Sequence, residues 1–444
     1  MRRLIPFQHP LLSLTLGLAV VVALFASGCD VLEVDNPNSL REEDLSRPVS
    51  AGPMANGAEA AVTRALGMAI TPASTTSDEL TFIGSRDAWN QLDLGVIGDE
   101  LNEFSDYAFP FVGEARWLCD EYIERMEAFR EEGTLGDDRL LARVYLYGAI
   151  IYSQIPDLYD NFVISSDGLE GGDPVGEENM NQLYDTAIQY IDRALELADP
   201  STDADLVTAL TALRARTHYS KGLWGKVNPS VDTASPLVNV QAAVDDALDA
   251  LNLIESESYA YELELSSSAP DLVDGEASMA WQVNERNELG FGEAYIDADE
   301  DGALNEITFE DPVSAEVDPV IEQKINDFIA DQQYANLPIV SAAELRLILA
   351  EAALAGNTGV DFATQINAVR SAGGKADWTS ASGISEQDIL IHERRVNLFL
   401  QGRRLADHYR FGNSSPEWDP SAKSPDGTFL PIAITEIRAN PNVN

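Results

Sequence analysis

Apolar positions recur at every third or fourth residue along most of this chain, the spacing that puts one face of a helix against a core. Helices are predicted over 55–70, 114–131, 140–155, 179–198, 205–224 and 240–253. In 179–198, Leu183, Ala187, Ile188, Ile191, Ala194 and Leu195 fall on one stripe. Pro200 and the run from 229 to 236 punctuate between helices. From 259 to 310 the pattern changes: Gly, Ser and Asp become frequent, and "MAWQV" and "EITFE" read as strands or extended loops. Helical spacing returns over 321–330, 342–355, 362–372 and 386–401. Neighbouring helices joined by tight turns pair in the manner of tetratricopeptide-type repeats. The predicted fold is mainly α, a tetratricopeptide-like helical-pair scaffold with long irregular loops and a few short strands. With no low-complexity linker dividing it, 54–444 reads as one large domain.

The first 28 residues follow a different rule. Arg2 and Arg3 precede an apolar run over 11–26 that ends in small residues, the pattern of a secretory signal peptide. The run is too short for a comfortable membrane span of ~20 residues. Ala26-Ser27-Gly28-Cys29 resembles a bacterial lipobox, although Ala26 stands where leucine is usual. That resemblance makes Cys29 the lipidated first residue of the mature chain and 29–53 a polar tether. The plainer alternative is a secreted protein with an unmodified Cys29. The second cysteine, Cys119, then has no partner, which excludes a disulfide framework. Its helical setting beside Trp117 and Leu118 suits a small buried hydrophobe.

Charge narrows the partners. Asp and Glu number 75 against 28 Lys and Arg, for a net charge of -47, two units more negative once Arg2 and Arg3 leave with the leader. Nucleic-acid binding, which needs cations to neutralise phosphates, is excluded. An apolar content of 45% is ample for a core, so the chain is not a disordered acidic tail. Only five of the basic residues are lysines, and such a surface suits high salt, where its self-repulsion is screened.

Six stretches carry a family resemblance. "DRLLARVYLYGAIIYSQIPDLYDNF" and "VTALTALRARTHYSKGLWGKV" are similar to helices of the SusD/RagB family of outer-membrane nutrient-binding lipoproteins. "LPIVSAAELRLILAEAAL", "INAVRSAGG" and "ILIHERRVNLFLQGRRLADHYRFG" resemble its C-terminal signature, and "FLPIAITEIRANPNV" its terminal segment. "VSAAELR" departs from it, since the family commonly has an Arg-Tyr pair there. The resemblance implies a lipid-anchored protein on the outer membrane that lies over a TonB-dependent β-barrel transporter and delivers a glycan or other polymeric nutrient to it. It also implies a ligand site built from an N-terminal loop region and loops of the middle third.

Sugar sites need aromatic faces together with amide, carboxylate or guanidinium groups. "TSDELTFIGSRDAWNQLD", loop-like in pattern, offers Asp78, Arg86, Trp89 and Asn90; the middle third offers Trp281 and Tyr295. Each aromatic can equally be core filler. Asp297, Asp299 and Asp301 have the spacing of a calcium loop, but Thr308 stands where the closing glutamate belongs, and a solvated acidic loop explains them as well. Glu393, Arg394, Arg395, Arg403, Arg404, Asp407 and Arg410 form either a helix-to-helix ion lattice or an anion or partner site. No His-Glu-x-x-His pair, nucleophile elbow or phosphate-cradling glycine loop is present, so no enzyme and no cofactor are expected. The rival expectation is a structural or adhesive surface protein that holds other proteins.

Overall fold

The computed structural model describes residues 45–165, 171–265, 278–299 and 304–443. Cys29, the leader and most of the predicted tether lie outside them. The body begins with α1 (Ala51–Thr76), followed by β1 (Leu80–Phe82), α2 (Asp87–Asp93), α3 (Glu103–Glu131) and α4 (Asp138–Leu158). Next come α5 (Gln182–Leu197), α6 (Ala204–Val227), α7 (Gln241–Leu253) and β2 (Ala260–Leu263). The middle third holds α8 (Met279–Asn284), β3 (Leu289–Phe291), β4 (Ile296–Ala298), β5 (Leu304–Ile307), β6 (Glu310–Asp311) and β7 (Glu316–Val317). The remainder is α9 (Pro319–Ala330), β8 (Leu337–Ser341), α10 (Ala342–Leu354), α11 (Phe362–Ala372), α12 (Glu386–Asn397), α13 (Arg404–Phe411) and α14 (Ile434–Ala439). No helix among the described residues is long and apolar enough to cross a membrane.

Side-chain caps start many of these helices by taking up orphan N–H groups. Asp137 accepts from Arg139 N at 2.9 Å, Asp318 from Val320 N at 2.9 Å and Ser385 from Asp388 N at 3.1 Å. Short connections then fold successive helices back on each other. α1 packs on α3 and α4, α4 on α5, α6 on α7, and α10 on α11. This is the mainly α, tetratricopeptide-like architecture expected. At Gly148 in α4 a Cβ would lie 2.9 Å from the Tyr190 ring, so only glycine lets α5 approach as closely as it does. Ala212, Ala215, Val244, Ala247, Leu345 and Leu349 join α6, α7 and α10 in one buried cluster; Leu347, Ala350, Ile366, Val369 and Ile389 join α10, α11 and α12 in another.

Among the described residues the strands form four antiparallel pairs, β1 with β3, β2 with β8, β4 with β5 and β6 with β7. β1–β3 runs in the register Leu80 to Phe291 and Phe82 to Leu289, which ties the end of α1 to the middle third. Two stretches differ from their predicted form. "MAWQV" is helix α8, because Ser278 caps it by accepting from Trp281 N and the buried Ala280 and Val283 lie three apart. "DAWNQLD" is helix α2, with Trp89 and Leu92 turned inward. The stretch 386–401 also ends early: α12 stops at Asn397, and Leu400 (φ 59°) and Gly402 (φ 69°) turn the chain into α13.

The C-terminal arginines are buried and paired. Arg404 grips Asp78 with two bonds of 3.0 and 3.1 Å, and Arg394 and Arg410 share Asp407 at 2.8 and 2.9 Å. Arg410 also pairs with Glu351 of α10. Arg403 and Arg216 converge on Asp157 at 2.9 and 2.7 Å. A neighbouring group joins Arg370 to Asp311 and Glu393 (2.8 and 2.7 Å), Lys375 to Asp318 and Glu393 (3.0 and 2.7 Å), and His392 to Asp318 (2.8 Å). Asp311, His392 and Glu393 have the proximity of metal ligands, but the cations of Arg370 and Lys375 already neutralise them. Removing one partner from such a buried pair costs about 3–5 kcal/mol, because the other charge is left stranded.

Burial raises three carboxyls far above their ordinary range: Glu79 to about 7, Asp160 to about 7 and Asp93 to about 6. Their protonated forms favour the fold, so their contribution is complete below about pH 4 and lost as pH rises through 6–7. Asp318 goes the other way: burial opposes the shift, but the His392 bond and Lys375 pull it down to about 2. Its contribution is present above about pH 4 and lost as pH falls towards 2. These three carboxyls should therefore lower the melting temperature at fixed high salt as pH rises from 5 to 7 in calorimetric scans, against the opposite pull of His408, which burial holds below its ordinary pKa. A flat profile between pH 5 and 8 would mean that these carboxyls titrate normally. Gly292 supplies a second check, since a Cβ there would sit 2.0 Å from the Asp78 carbonyl oxygen. Gly292→Ala should lower the denaturation midpoint markedly by prising β1 from β3.

Candidate functional site

The most suggestive cavity opens where α2 and the start of α3 meet α1 and α8. It encloses about 290 Å³ and is lined by Arg86, Trp89, Glu103, Phe104, Tyr107 and Gln282, with Met68, Thr71 and Asp106 completing the wall. Its construction begins with Asn102. The Asn102 side chain accepts from Phe104 N (3.0 Å) and Ser105 N (3.3 Å), which starts α3, and donates to the Ala88 carbonyl (2.9 Å), which pins α2 against it. That stitch holds Trp89 flat on Phe104, ring centres 3.6 Å apart and planes 12° from parallel. Arg86 leaves the first end of α2, pairs with Glu103 at 3.2 Å and lies 5.6 Å from the Phe104 ring centre.

The loop carrying Arg86 is fixed from the middle third. Glu288 accepts from Ser85 N, Ser85 Oγ and Arg86 N at 2.9–3.0 Å. Burial would raise its carboxyl, but those bonds outweigh it and hold the group below its usual range. At the other end of α2, Asp93 accepts from Thr81 Oγ1 and Phe82 N, both at 2.9 Å, and ties the helix to β1.

Two polar atoms in the wall are unsatisfied. Trp89 Nε1 and Gln282 Oε1 are buried without a hydrogen-bond partner, in side chains only 2% and 3% exposed. A buried donor and a buried acceptor left open in this way each cost free energy unless a ligand or water meets them. From the cavity wall the same face of α3 continues with Tyr107, 39% exposed, to Phe111, edge-to-face with it at 5.4 Å and covered by the Arg64 guanidinium at 4.0 Å. Residues 104, 107 and 111 span about 10 Å of helix at 1.5 Å per residue. The cavity thus leads into an aromatic lane.

Of the residues expected to bind ligand, Arg86 and Trp89 line this cavity. Asn90 is half-buried beside Trp89 on α2, and Trp281 precedes Gln282 on α8, beneath Arg286 at 5.3 Å. Asp78 and Tyr295 lie elsewhere, in the buried lattice, only 2% and 0% exposed. Burial raises the Asp78 carboxyl, but Arg404, His408 and Arg395 overcome it and hold the group well below the usual range. Tyr295 Oη accepts from Arg395 Nε at 2.9 Å, and the Arg395 guanidinium lies 4.4 Å from the Tyr295 ring and 4.7 Å from the Phe309 ring. Both are thus part of the joint between β1, α12 and α13. Asp297 stands in β4 opposite Glu306, 3.4 Å from Asn305 Nδ2, and Asp299 follows that strand. Asp301 lies outside the described residues. Phe104, Tyr107 and Gln282 escaped notice in the sequence. The available signal was Asn102 capping a helix with aromatics at 104, 107 and 111.

The fold has many solved relatives in shape. A SusD superfamily protein from Bacteroides thetaiotaomicron superposes with TM-score 0.62 at 16% identity, over 90% of this chain and 99% of its own. A SusD-like carbohydrate-binding protein from Bacteroides vulgatus gives 0.57 at 12%, over 89% and 97%. A structure with xylogluco-oligosaccharide gives 0.58 at 15%, over 88% and 98%. No protein-family model and no curated protein matches the sequence. At these identities the likeness establishes the SusD-like fold.

Because Trp89 is buried, replacing it tests architecture as well as ligand. Trp89→Ala should cost about 3–5 kcal/mol of stability, and Asn102→Ala about 1 kcal/mol from the lost cap. Urea denaturation of both variants checks the two values; an Asn102→Ala midpoint equal to wild type would refute the stitch.

Proposed function

We propose that this protein is a SusD-like glycan-binding lipoprotein, anchored through Cys29 to the outer membrane, that presents its ligand to a TonB-dependent β-barrel transporter. The observation carrying the proposal is the cavity whose wall holds the unsatisfied Trp89 Nε1 and Gln282 Oε1 beside the exposed ring of Tyr107. A sugar hydroxyl both donates and accepts, so a hydroxyl-rich ligand matches a wall that carries an unpaired donor and an unpaired acceptor. Tyr107 supplies an exposed apolar ring for the C–H face of a sugar unit. Arg86 and Glu103, already paired, offer a charge-assisted donor and acceptor at the mouth. The fold is shared with a carbohydrate-binding protein and with a structure holding a xylogluco-oligosaccharide, which supports the same ligand class.

Such a site needs no reaction. Affinity for one sugar unit is weak, and strength comes from several units engaging together or from enclosure against the barrel. The tether from 29 to 53 gives the body reach over its partner.

Calorimetric titration with neutral glycans, xyloglucan oligosaccharides among them, in high salt tests the ligand. Wild type should bind at least one; Tyr107→Ala should bind it about tenfold more weakly, the worth of one aromatic contact, with an unchanged melting temperature. Failure of the whole panel would overturn the glycan assignment. Gentle solubilisation of native membranes should recover a stoichiometric β-barrel with the tagged protein, and recovery without one would overturn the transporter partnership.

A further inference from the structure

Four of the five lysines have partners: Lys221 with Asp185, Lys226 with the Ser235 carbonyl, Lys375 with Asp318 and Glu393, and Lys423 with Asp426. Lys324 makes no hydrogen bond or ion pair among the described residues, in a chain where carboxylates outnumber cations by 75 to 28. It is half-buried on α9 and lines a cavity of about 440 Å³, between α9, the start of α8 and the β2–β8 pair. That volume lies within the ~300–1,000 Å³ usual for small-ligand pockets.

The wall has a definite chemistry. Lys324, Asp327, Phe328 and Asp331 follow one another at i, i+3, i+4 and i+7, so one face of α9 offers a cation, two carboxylates and an aromatic ring. Phe399 and Pro338 add apolar surface. Glu262 is engaged by Asn336 Nδ2 at 3.1 Å and Asp327 by Gln323 Nε2 at 2.6 Å. Asp331 is exposed, and among the described residues no side-chain partner holds its carboxylate. The ammonium and the Asp331 carboxylate are therefore the open donor and acceptor of the cavity. Three carboxylates against one cation in the wall disfavour an anionic ligand.

The two cavities share a wall. Met68 of α1 lines the first and Gly67 the second; Gln282 of α8 lines the first and Met279 and Ala280 the second. We infer that the Lys324 cavity is a second subsite for a neutral, hydroxyl-bearing sugar unit, with Lys324 donating to its hydroxyls, Asp331 accepting from them and Phe328 against its apolar face. The inference rests on the glycan reading and adds a separate place of contact. Burial pushes the Lys324 ammonium below its ordinary pKa, against the smaller opposing pull of Glu262 and Glu79.

Reductive methylation with ¹³C-formaldehyde places a reporter on each lysine, and Lys324→Gln assigns the Lys324 resonance. Titrating this protein with the neutral glycan bound in calorimetry should shift that resonance saturably. Lys324→Gln should weaken binding about five- to tenfold at unchanged melting temperature, since Lys324 has no hydrogen-bond or ion-pair partner among the described residues. If wild type binds the glycan and Tyr107→Ala weakens it, but the Lys324 resonance stays still and Lys324→Gln binds normally, the second subsite is overturned while the glycan function stands. Binding of no neutral glycan overturns both. A Lys324 response confined to polygalacturonate overturns the choice of a neutral ligand.

Discussion

Pairing of buried guanidinium groups with buried carboxylates is the constraint on which the rest of this molecule depends. Arg404 with Asp78, Arg410 with Glu351, and Arg403 with Asp157 join α13 and its first end to the end of α1, to α10 and to α4. Each pair is costly to desolvate and costlier to break, so the arrangement contributes uniqueness of docking more than net stability. Glu79 depends on the same joint: its carboxyl takes the Leu400 N–H at 2.8 Å and the Ser74 hydroxyl at 2.9 Å. From there β1 leads directly to α2 and the aromatic cavity. The site is therefore set by the C-terminal turn as much as by its own residues.

The helical framework was legible because its apolar stripes are long and its caps ordinary. The predicted boundaries of α4, α5, α6, α7, α10 and α11 fall within three residues of those found. α3 was read eleven residues short, since Pro110 and Gly113 interrupt the pattern and hide that Asn102 starts the helix. The shortest helices were the least legible: α2 and α8, of seven and six residues, are too brief to show a period and are held by Asn102, Asp93 and Ser278 instead. For the cavity, Arg86 and Trp89 were visible as polar-flanked chemistry, whereas Phe104 and Gln282 went unnoticed because two helices far apart in sequence bring them together. Asp78 carried a carboxylate suited to sugar, and nothing local revealed that Arg404 claims it.

Salt acts differently on the two electrostatic systems of the protein. The surface carries most of the excess negative charge, and its repulsion fades once the Debye length shrinks to a few ångströms. The lattice is shielded from mobile ions by burial and keeps its strength in the same medium. A strongly acidic exterior and a densely paired interior are thus compatible in brine, where hydrophobic burial is undiminished as well.

Sequence separation across the lattice has a consequence for biogenesis. Asp78 waits 326 residues for Arg404, which at ribosomal speeds of ~5–20 residues per second is on the order of tens of seconds. During that interval the amino-terminal helices carry acidic groups whose counter-charges have not yet been synthesised. A partly made chain therefore lacks the pairs that fix its final shape. The last helices to emerge act as the closing key of the fold.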